Sequence, residues 1–110
     1  MKVKVSFYVT PGGGNPVQRY LLALDDHEAA PLFATLKDLE LHGLKNTTAS
    51  LRVIEGKLWE LKVGRHRIFY VLVLGPEMVL LHACKKQSQK ARKEDLDLAK
   101  ARMKEVLEAD

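Results

Sequence analysis

Alternating polar and apolar positions open the sequence. Over Lys2–Val9 the alternation has a period of two and the apolar residues are β-branched or aromatic, which predicts a β-strand. Three glycines between two prolines follow in Thr10–Pro16 and predict a flexible loop. Because no Gly-Lys-Ser/Thr follows the glycines, this loop lacks the pattern of a nucleotide-binding Walker loop.

From Pro16 onward the spacing of apolar residues changes to three and four, which is the period of a helix. Pro16 suits the first turn of a helix because its φ angle is preset. Asp25-Asp26 offers an N-cap for a second helix, and His42-Gly43 is typical of a helix end. We therefore predict two short helices that form a hairpin.

The second half of the chain is rich in β-branched and aromatic residues, interrupted by short turns that contain glycine. It contains four predicted strand segments: Leu51–Ile54, Lys57–Val63, Arg65–Leu74 and Met78–Cys84. Strands spaced so closely predict an antiparallel meander. After them, apolar residues from Leu96 to Leu107 fall on one helical face and predict an amphipathic C-terminal helix.

Together these elements predict a single α+β domain over residues 1–110. It has an N-terminal strand, a helical hairpin, an antiparallel curved sheet of three to four strands and a C-terminal helix. Apolar residues make up 46% and charged residues 29% of the chain, which is the balance of an ordered globular domain.

The composition also limits the class of protein. The single cysteine, Cys84, excludes an intramolecular disulfide, and one cysteine with four scattered histidines offers no ligand pair at zinc spacing. No apolar run is long enough to span a membrane, and the first residues lack the apolar core of a signal peptide. We therefore expect a cytoplasmic protein without a metal site.

The positive charge of the chain is concentrated in one stretch. The net charge of +4 divides into 0 for residues 1–51, +7 for residues 52–93 (ten Lys/Arg and three Glu) and −3 for residues 94–110. Arg65 and Arg67 are two residues apart, so they are expected to share one face of their strand. Several cations on one concave sheet face would bind phosphate groups. The alternative is a solvated sheet face with ordinary lysines.

Three segments of this basic stretch carry a family resemblance. They are Gly56-Lys-Leu-Trp-Glu-Leu-Lys62, Arg65-His-Arg-Ile-Phe-Tyr70 and Leu80-Leu-His-Ala-Cys-Lys-Lys-Gln-Ser-Gln-Lys90. In this order they resemble the RelE/HigB toxins of type II toxin–antitoxin systems, and most of all their phage-derived HigB-like branch. The resemblance covers about residues 2–107 and implies a RelE/ParE-like fold. The chain departs from the family at Ala91-Arg92-Lys93, where a proline usually opens the last helix.

The resemblance implies a toxin that cleaves mRNA, usually on the ribosome, and that is neutralised by a small antitoxin, often of the helix-turn-helix type. Operator DNA would be bound only through the antitoxin complex. The implied chemistry needs no cofactor, because the ribose 2′-hydroxyl is deprotonated and attacks the adjacent phosphorus while the 5′-oxygen leaves. Two alternatives stay open: a ParE-like toxin that acts on DNA gyrase, and a nucleic-acid-binding module without activity.

Five residues are candidates for catalysis under this resemblance. Arg67 matches the arginine before the family's Ile/Val-x-Tyr strand and is predicted to contact the scissile phosphate. Lys85 or Lys86 matches the basic residue that ends the last strand and is predicted to stabilise the transition state or protonate the leaving group. Lys57 is a candidate base if neighbouring cations lower its pKa, and Lys62, on the same predicted strand, is open to the same role. His82 is a candidate acid or base, with a core histidine as the alternative.

Five further cations of the stretch are candidates for binding the RNA backbone. They are Arg65, Lys62, Lys90, Arg92 and Lys93. Glu60 is the only acid in the central strand and is predicted to orient Arg67 through an ion pair. His66 has the opposite strand parity to Arg67 and is expected to face elsewhere.

Overall fold

The computed structural model describes residues 2–47 and 49–109, and only the backbone of Asn46. Met1, Thr48 and Asp110 belong to the predicted domain range but lie outside the described residues. The elements, in chain order, are β1 (Lys4–Phe7), α1 (Pro16–Ala23), α2 (Asp26–His42), a 3₁₀ turn (Leu44–Asn46), β2 (Ser50–Glu55), β3 (Leu58–Val63), β4 (His66–Val73), β5 (Glu77–Lys85) and α3 (Lys93–Glu108).

The five strands form one mixed sheet in the order β1-β5-β4-β3-β2. Strands β2 to β5 pair antiparallel with their neighbours, as the predicted meander requires. The prediction of an antiparallel sheet of three to four strands is wrong in one respect, because β1 joins the sheet as a fifth strand, parallel to β5. The helical hairpin separates β1 from β2 in the chain, and the strand that pairs with β1 is β5. Local periodicity does not indicate this pairing.

The helix boundaries follow the local signals of the sequence. Pro16 lies in the first turn of α1, and the Asn15 side chain accepts a hydrogen bond from the backbone N–H of Gln18. The Asp25 side chain caps α2 in the same way. Gly43 ends α2 with a φ of 81°, a left-handed conformation that favours glycine. The predicted hairpin of two helices is confirmed.

The two faces of the sheet carry separate apolar clusters. The hairpin of α1 and α2 covers one face, called here the hairpin face; its buried residues include Val17, Leu21, Leu32, Leu39, Leu61, Ile68, Tyr70 and Leu80. Helix α3 covers the other, the α3 face; its buried residues include Tyr8, Leu58, Phe69, Val71, Leu81 and Ala99. Both faces are therefore apolar over much of their area, and polar residues buried in the sheet need partners.

Two candidate residues lie in turns rather than in strands. Lys57 was predicted to begin a strand, but β3 begins at Leu58 and Lys57 is exposed in the turn before it. Arg65 is exposed in the turn before β4, so the expectation that Arg65 and Arg67 share a strand face is wrong. None of the helices in the described part of the chain combines the length and apolarity that a bilayer crossing requires.

Candidate functional site

Polar side chains converge on the α3 face where β2 to β5 lie side by side. The strand register sets Arg52 opposite Glu60 and Lys62 opposite Arg67. Arg67 in turn lies opposite Cys84 on β5. Because alternate residues of a strand point to the same face, these side chains form one polar group beside the apolar cluster under α3. We call Arg52, Glu60, Lys62 and Arg67 the Glu60 cluster.

The centre of this cluster is a buried ion pair. Glu60 is fully buried and Arg67 is 1% exposed, and an Arg67 guanidinium N–H donates to Glu60 Oε2 over 2.9 Å. The guanidinium also donates to the backbone carbonyl oxygens of Ser88 and Gln89. The predicted ion pair between Glu60 and Arg67 is therefore confirmed. In this conformation the guanidinium is enclosed by protein groups and does not face solvent.

The second oxygen of Glu60 attracts two further cations. Glu60 Oε1 lies 3.4 Å from Arg52 Nη2 and 3.8 Å from Lys62 Nζ. These distances exceed those of hydrogen bonds, and no group among residues 2–47 and 49–109 donates a hydrogen bond to this buried oxygen. Three cations therefore share one carboxylate, and the cluster carries an excess of positive charge.

His82 links strand β5 to helix α3. Its Nε2 lies 2.8 Å from Asp95 Oδ1, and its ring stacks parallel to that of Phe69. Its other ring nitrogen, Nδ1, lies 3.5 Å from an Arg102 guanidinium nitrogen. Arg92 also donates to Asp95. Both ring nitrogens of His82 thus face protein groups, and the side chain is 15% exposed.

The contacts of Asp95 make the stability of the fold depend on pH. Burial raises the pKa of the Asp95 carboxyl, but hydrogen bonds and charges from His82 and Arg92 outweigh burial and hold the pKa below its usual value of 3.8. A carboxyl with a lowered pKa stabilises the fold above the unfolded-state pKa and loses that contribution as the pH falls further.

We expect the free energy of unfolding, measured with urea at a series of pH values, to decrease as the pH falls below about 4. In Asp95→Asn this decrease should be smaller. An unchanged pH profile in Asp95→Asn would contradict the assignment.

Cys84 lies beside this pair but lacks the properties of a nucleophile. One ligand atom each from His82, Cys84 and Asp95 could approach a metal ion, since the three atoms lie within 4.8 Å of one another. Asp95 is already bound by His82 and Arg92, however. Burial, with a further effect of Asp95, raises the pKa of the Cys84 thiol to about 12. A protonated thiol and an occupied carboxylate disfavour both thiolate catalysis and metal binding.

The raised thiol pKa predicts slow alkylation of Cys84. At neutral pH only the thiolate reacts, so we expect iodoacetamide to modify the folded protein at least about 100-fold more slowly than free cysteine. The rate should recover in urea, where the thiol regains an ordinary pKa. Alkylation of the folded chain as fast as that of free cysteine would show that the thiol is not protected.

The hairpin face receives one of the predicted catalytic lysines. Lys85 pairs with His66 across the strands, so both point away from the Glu60 cluster. Lys85 Nζ lies 3.6 Å from Glu28, and His66 contacts Glu28 at 3.4 Å and the Tyr20 hydroxyl at 2.7 Å. The expectation that His66 faces away from Arg67 is confirmed. Lys57, at the opposite end of β3 from Lys62, is not brought near Arg67 either.

A second group of cations borders the end of the sheet at the β3–β4 turn. Arg65 is exposed in that turn, and its carbonyl accepts a hydrogen bond from the backbone N–H of Lys86. Lys90 is exposed in the segment that passes over Arg67. We call Arg65, Lys86 and Lys90 the basic edge. None of the three forms an ion pair with a described acid, and this they share with exposed cations elsewhere, such as Lys2, Arg19 and Lys37.

The two remaining RNA-binding candidates are engaged at the start of α3. Arg92 is the N-cap residue, without a side-chain cap bond, and its guanidinium pairs with Asp95 and Glu94. Lys93 pairs with Asp97 one helical turn away, at 3.0 Å. Helix α3 begins at Lys93, directly after Ala91-Arg92, where the family usually has a proline. Ion pairs stabilise its first turn in place of the proline.

Sequence reasoning missed two members of the site. Arg52 lies within the short strand β2 and belongs to no motif; only the β2–β3 register, with Arg52 opposite Glu60, reveals it. Asp95 lies in an acidic helix, where a carboxylate is expected to be solvated, and only its contact with His82 identifies it as part of the site. The short Glu55-Gly56 turn was the one local signal that could have suggested the β2–β3 register, although a bulge between Val53 and Glu55 shifts that register near the turn.

Comparison with known proteins gives one family and one fold. A family model described as phage-derived protein Gp49-like matches residues 19–104. The structure is similar to a chain of the archaeal RelE–RelB complex from Pyrococcus horikoshii OT3, with a TM-score of 0.60 and 16% sequence identity, over 82% of this chain and 100% of that one. A comparison of the sequence with curated proteins finds no significant match. The fold predicted from the RelE/HigB resemblance is thereby confirmed.

Proposed function

The chain belongs to the phage-derived Gp49-like family, and from this premise we propose that it is the toxin of a type II toxin–antitoxin system. We further propose that it cleaves mRNA, on the ribosome, without a metal ion. The similar archaeal protein is known from a complex with RelB, and a small antitoxin, of the helix-turn-helix type, is the partner that we propose for this chain.

The observation that carries the proposal is the grouping of cations at one end of the sheet. Lys62, the three residues of the basic edge and the enclosed Arg67 all lie at the β3–β4 turn or directly beside it. A chain of phosphates passing this end would meet positive charge from two strands and from the segment after β5. An isolated solvated lysine on a sheet face would not produce such a grouping.

The geometry favours different roles for the candidate residues. Lys86 is half-buried at the edge, and we propose that its ammonium group reaches a phosphate there and stabilises the charge of the pentacovalent transition state. The predicted contact of Arg67 with the scissile phosphate would require Ser88 and Gln89 to release the guanidinium. The predicted acid–base role of His82 would likewise require its release from Asp95.

Lys85, Lys57, Arg92 and Lys93 contribute less directly under this proposal. Lys85 lies on the hairpin face, and Lys57 lies at the far turn of β3. Arg92 and Lys93 are paired with acids of α3, which lowers the charge that they offer to RNA. We propose that these four residues do not contact the scissile phosphate. Their contribution is to bind RNA or the ribosome away from it.

Induced expression in bacteria tests the toxin assignment. We expect growth arrest, and rescue when the small reading frame next to the gene is expressed at the same time. Plasmid supercoiling, measured in the same cultures, distinguishes the gyrase alternative. Relaxed plasmids with arrest would favour a ParE-like toxin, and normal growth at high expression would reject the toxin function altogether.

A further inference from the structure

The Glu60 cluster differs from the other ion pairs of the described chain in its charge balance. Other acids meet fewer cations: Lys93 meets the exposed Asp97 and Lys100 the exposed Glu55, and the buried Asp95 is held by Arg92 and His82. At Glu60, Arg52, Lys62 and Arg67 share a single, fully buried carboxylate. One negative charge cannot neutralise three positive ones, so the cluster attracts a further anion.

Two of these cations also keep their hydrogen-bond donors available. Arg67 uses its guanidinium N–H groups on Glu60 and on two carbonyl oxygens. Arg52 and Lys62 lie at ion-pair distances from Glu60 Oε1, and neither side chain donates a hydrogen bond within the described ranges 2–47 and 49–109. A guanidinium carries five N–H donors and an ammonium three. These donors can therefore serve an external acceptor.

The positions of Arg52 and Lys62 suit a group with several acceptor oxygens. They lie on neighbouring strands and on the same face, as diagonal neighbours about 7–8 Å apart, because Arg52 pairs with Glu60 and Lys62 with Ser50. The Arg52 side chain is 52% exposed and the Lys62 side chain 25% exposed, so both can be reached from solvent. Glu60 lies beneath them and limits the positions that the two cations can adopt.

We infer that Arg52 and Lys62 bind one phosphate group of the RNA backbone, with Glu60 as the buried anion that positions both. This inference rests on the proposed function, because it takes RNA as the source of the phosphate. It adds a residue, Arg52, that lies outside the basic edge and outside the segments of family resemblance. The bound phosphate extends the RNA path from the basic edge across β3 to β2.

Binding of a short single-stranded RNA tests the inference. The probe carries 2′-O-methyl riboses, which prevents cleavage, and anisotropy is measured over a range of salt concentrations. We expect Arg52→Gln and Lys62→Gln each to weaken binding about tenfold. Each should also reduce the slope of log K against log salt by about 0.7, the value for one lost contact to a single strand. A residue that only supports the fold would leave this slope unchanged.

Arg19→Gln and Lys37→Gln are the matched controls, since both residues are exposed on the helical hairpin and the charge change is the same. Equal effects of all four variants would overturn the inference. Inorganic phosphate is a second probe, followed through the amide resonances of β2 and β3. Phosphate-dependent shifts that vanish in Arg52→Gln, without RNA binding, would support the phosphate site and reject RNA as its source. Absence of both responses would reject the site as well.

Discussion

Replacing Arg67 by alanine should destabilise the protein by about 3–5 kcal/mol, the usual cost of removing one partner of a buried ion pair. The substitution leaves Glu60, fully buried, without its hydrogen-bond donor. It also leaves the carbonyl oxygens of Ser88 and Gln89 without their donor. Domains of this kind have a total stability of about 5–15 kcal/mol, so part of the population would be unfolded. Urea unfolding measures the loss.

Two variants give the Arg67 prediction its controls. Arg65→Ala removes the same side chain from an exposed turn two residues away and should change stability by no more than about 0.5 kcal/mol. The double variant Glu60→Leu with Arg67→Met removes both buried charges and should lose less than Arg67→Ala, because Arg52 and Lys62, which lose their acid partner, are in contact with solvent. A loss below about 1 kcal/mol in Arg67→Ala would contradict the enclosed ion pair.

This result matters for the interpretation of inactive variants. Loss of toxicity in Arg67→Ala would follow from unfolding alone and would not identify Arg67 as a phosphate contact. Substitutions in the basic edge avoid this difficulty, since they leave the Glu60–Arg67 pair in place. They are therefore the more direct way to separate binding from folding.

Neutralising the whole basic edge should lower the affinity for single-stranded RNA about 100-fold. If each of Arg65, Lys86 and Lys90 contributes about 1 kcal/mol, the triple change to glutamine loses about 3 kcal/mol of binding free energy. The salt dependence should fall in parallel, by about 2 in the slope of log K against log salt. Filter binding or anisotropy at several salt concentrations measures both quantities.

The triple change of Lys2, Arg19 and Lys37 to glutamine is the control for total charge. These three cations are exposed and lie outside the basic stretch, and their removal lowers the net charge by the same three units. We expect this variant to bind RNA nearly as well as the unmodified chain. If both triple variants weaken binding equally, overall charge rather than the basic edge determines affinity.

Much of the fold could be predicted because its signals are local. Pro16, Asp25 and Gly43 each act within a turn of their own helix, through a preset φ, a side-chain cap and a left-handed end. The parallel pairing of β1 with β5 depends instead on residues more than 70 positions apart. Alternation indicates that a segment is a strand, but it indicates neither the partner nor the direction of pairing.

The candidate site was predictable in part for the same reason. Glu60 stood out as the single acid of a central strand, and its pairing with Arg67 needed only two adjacent strands. The burial of Arg67 depends on Ser88 and Gln89, which reach it from beyond β5. The separation of Lys85 from Arg67 depends on the β4–β5 register, in which Arg67 faces Cys84. Such register relations are non-local and leave no motif in the sequence.

Primer extension on cellular mRNA after brief induction tests the central claim most directly. If the chain is a ribosome-dependent endoribonuclease, new 5′ ends should appear at a fixed position within codons of translated messages. They should be strongly reduced in the triple variant of Arg65, Lys86 and Lys90, at equal protein level, and retained in the triple variant of Lys2, Arg19 and Lys37. Growth arrest with intact mRNA would contradict RNA cleavage as the activity of this protein.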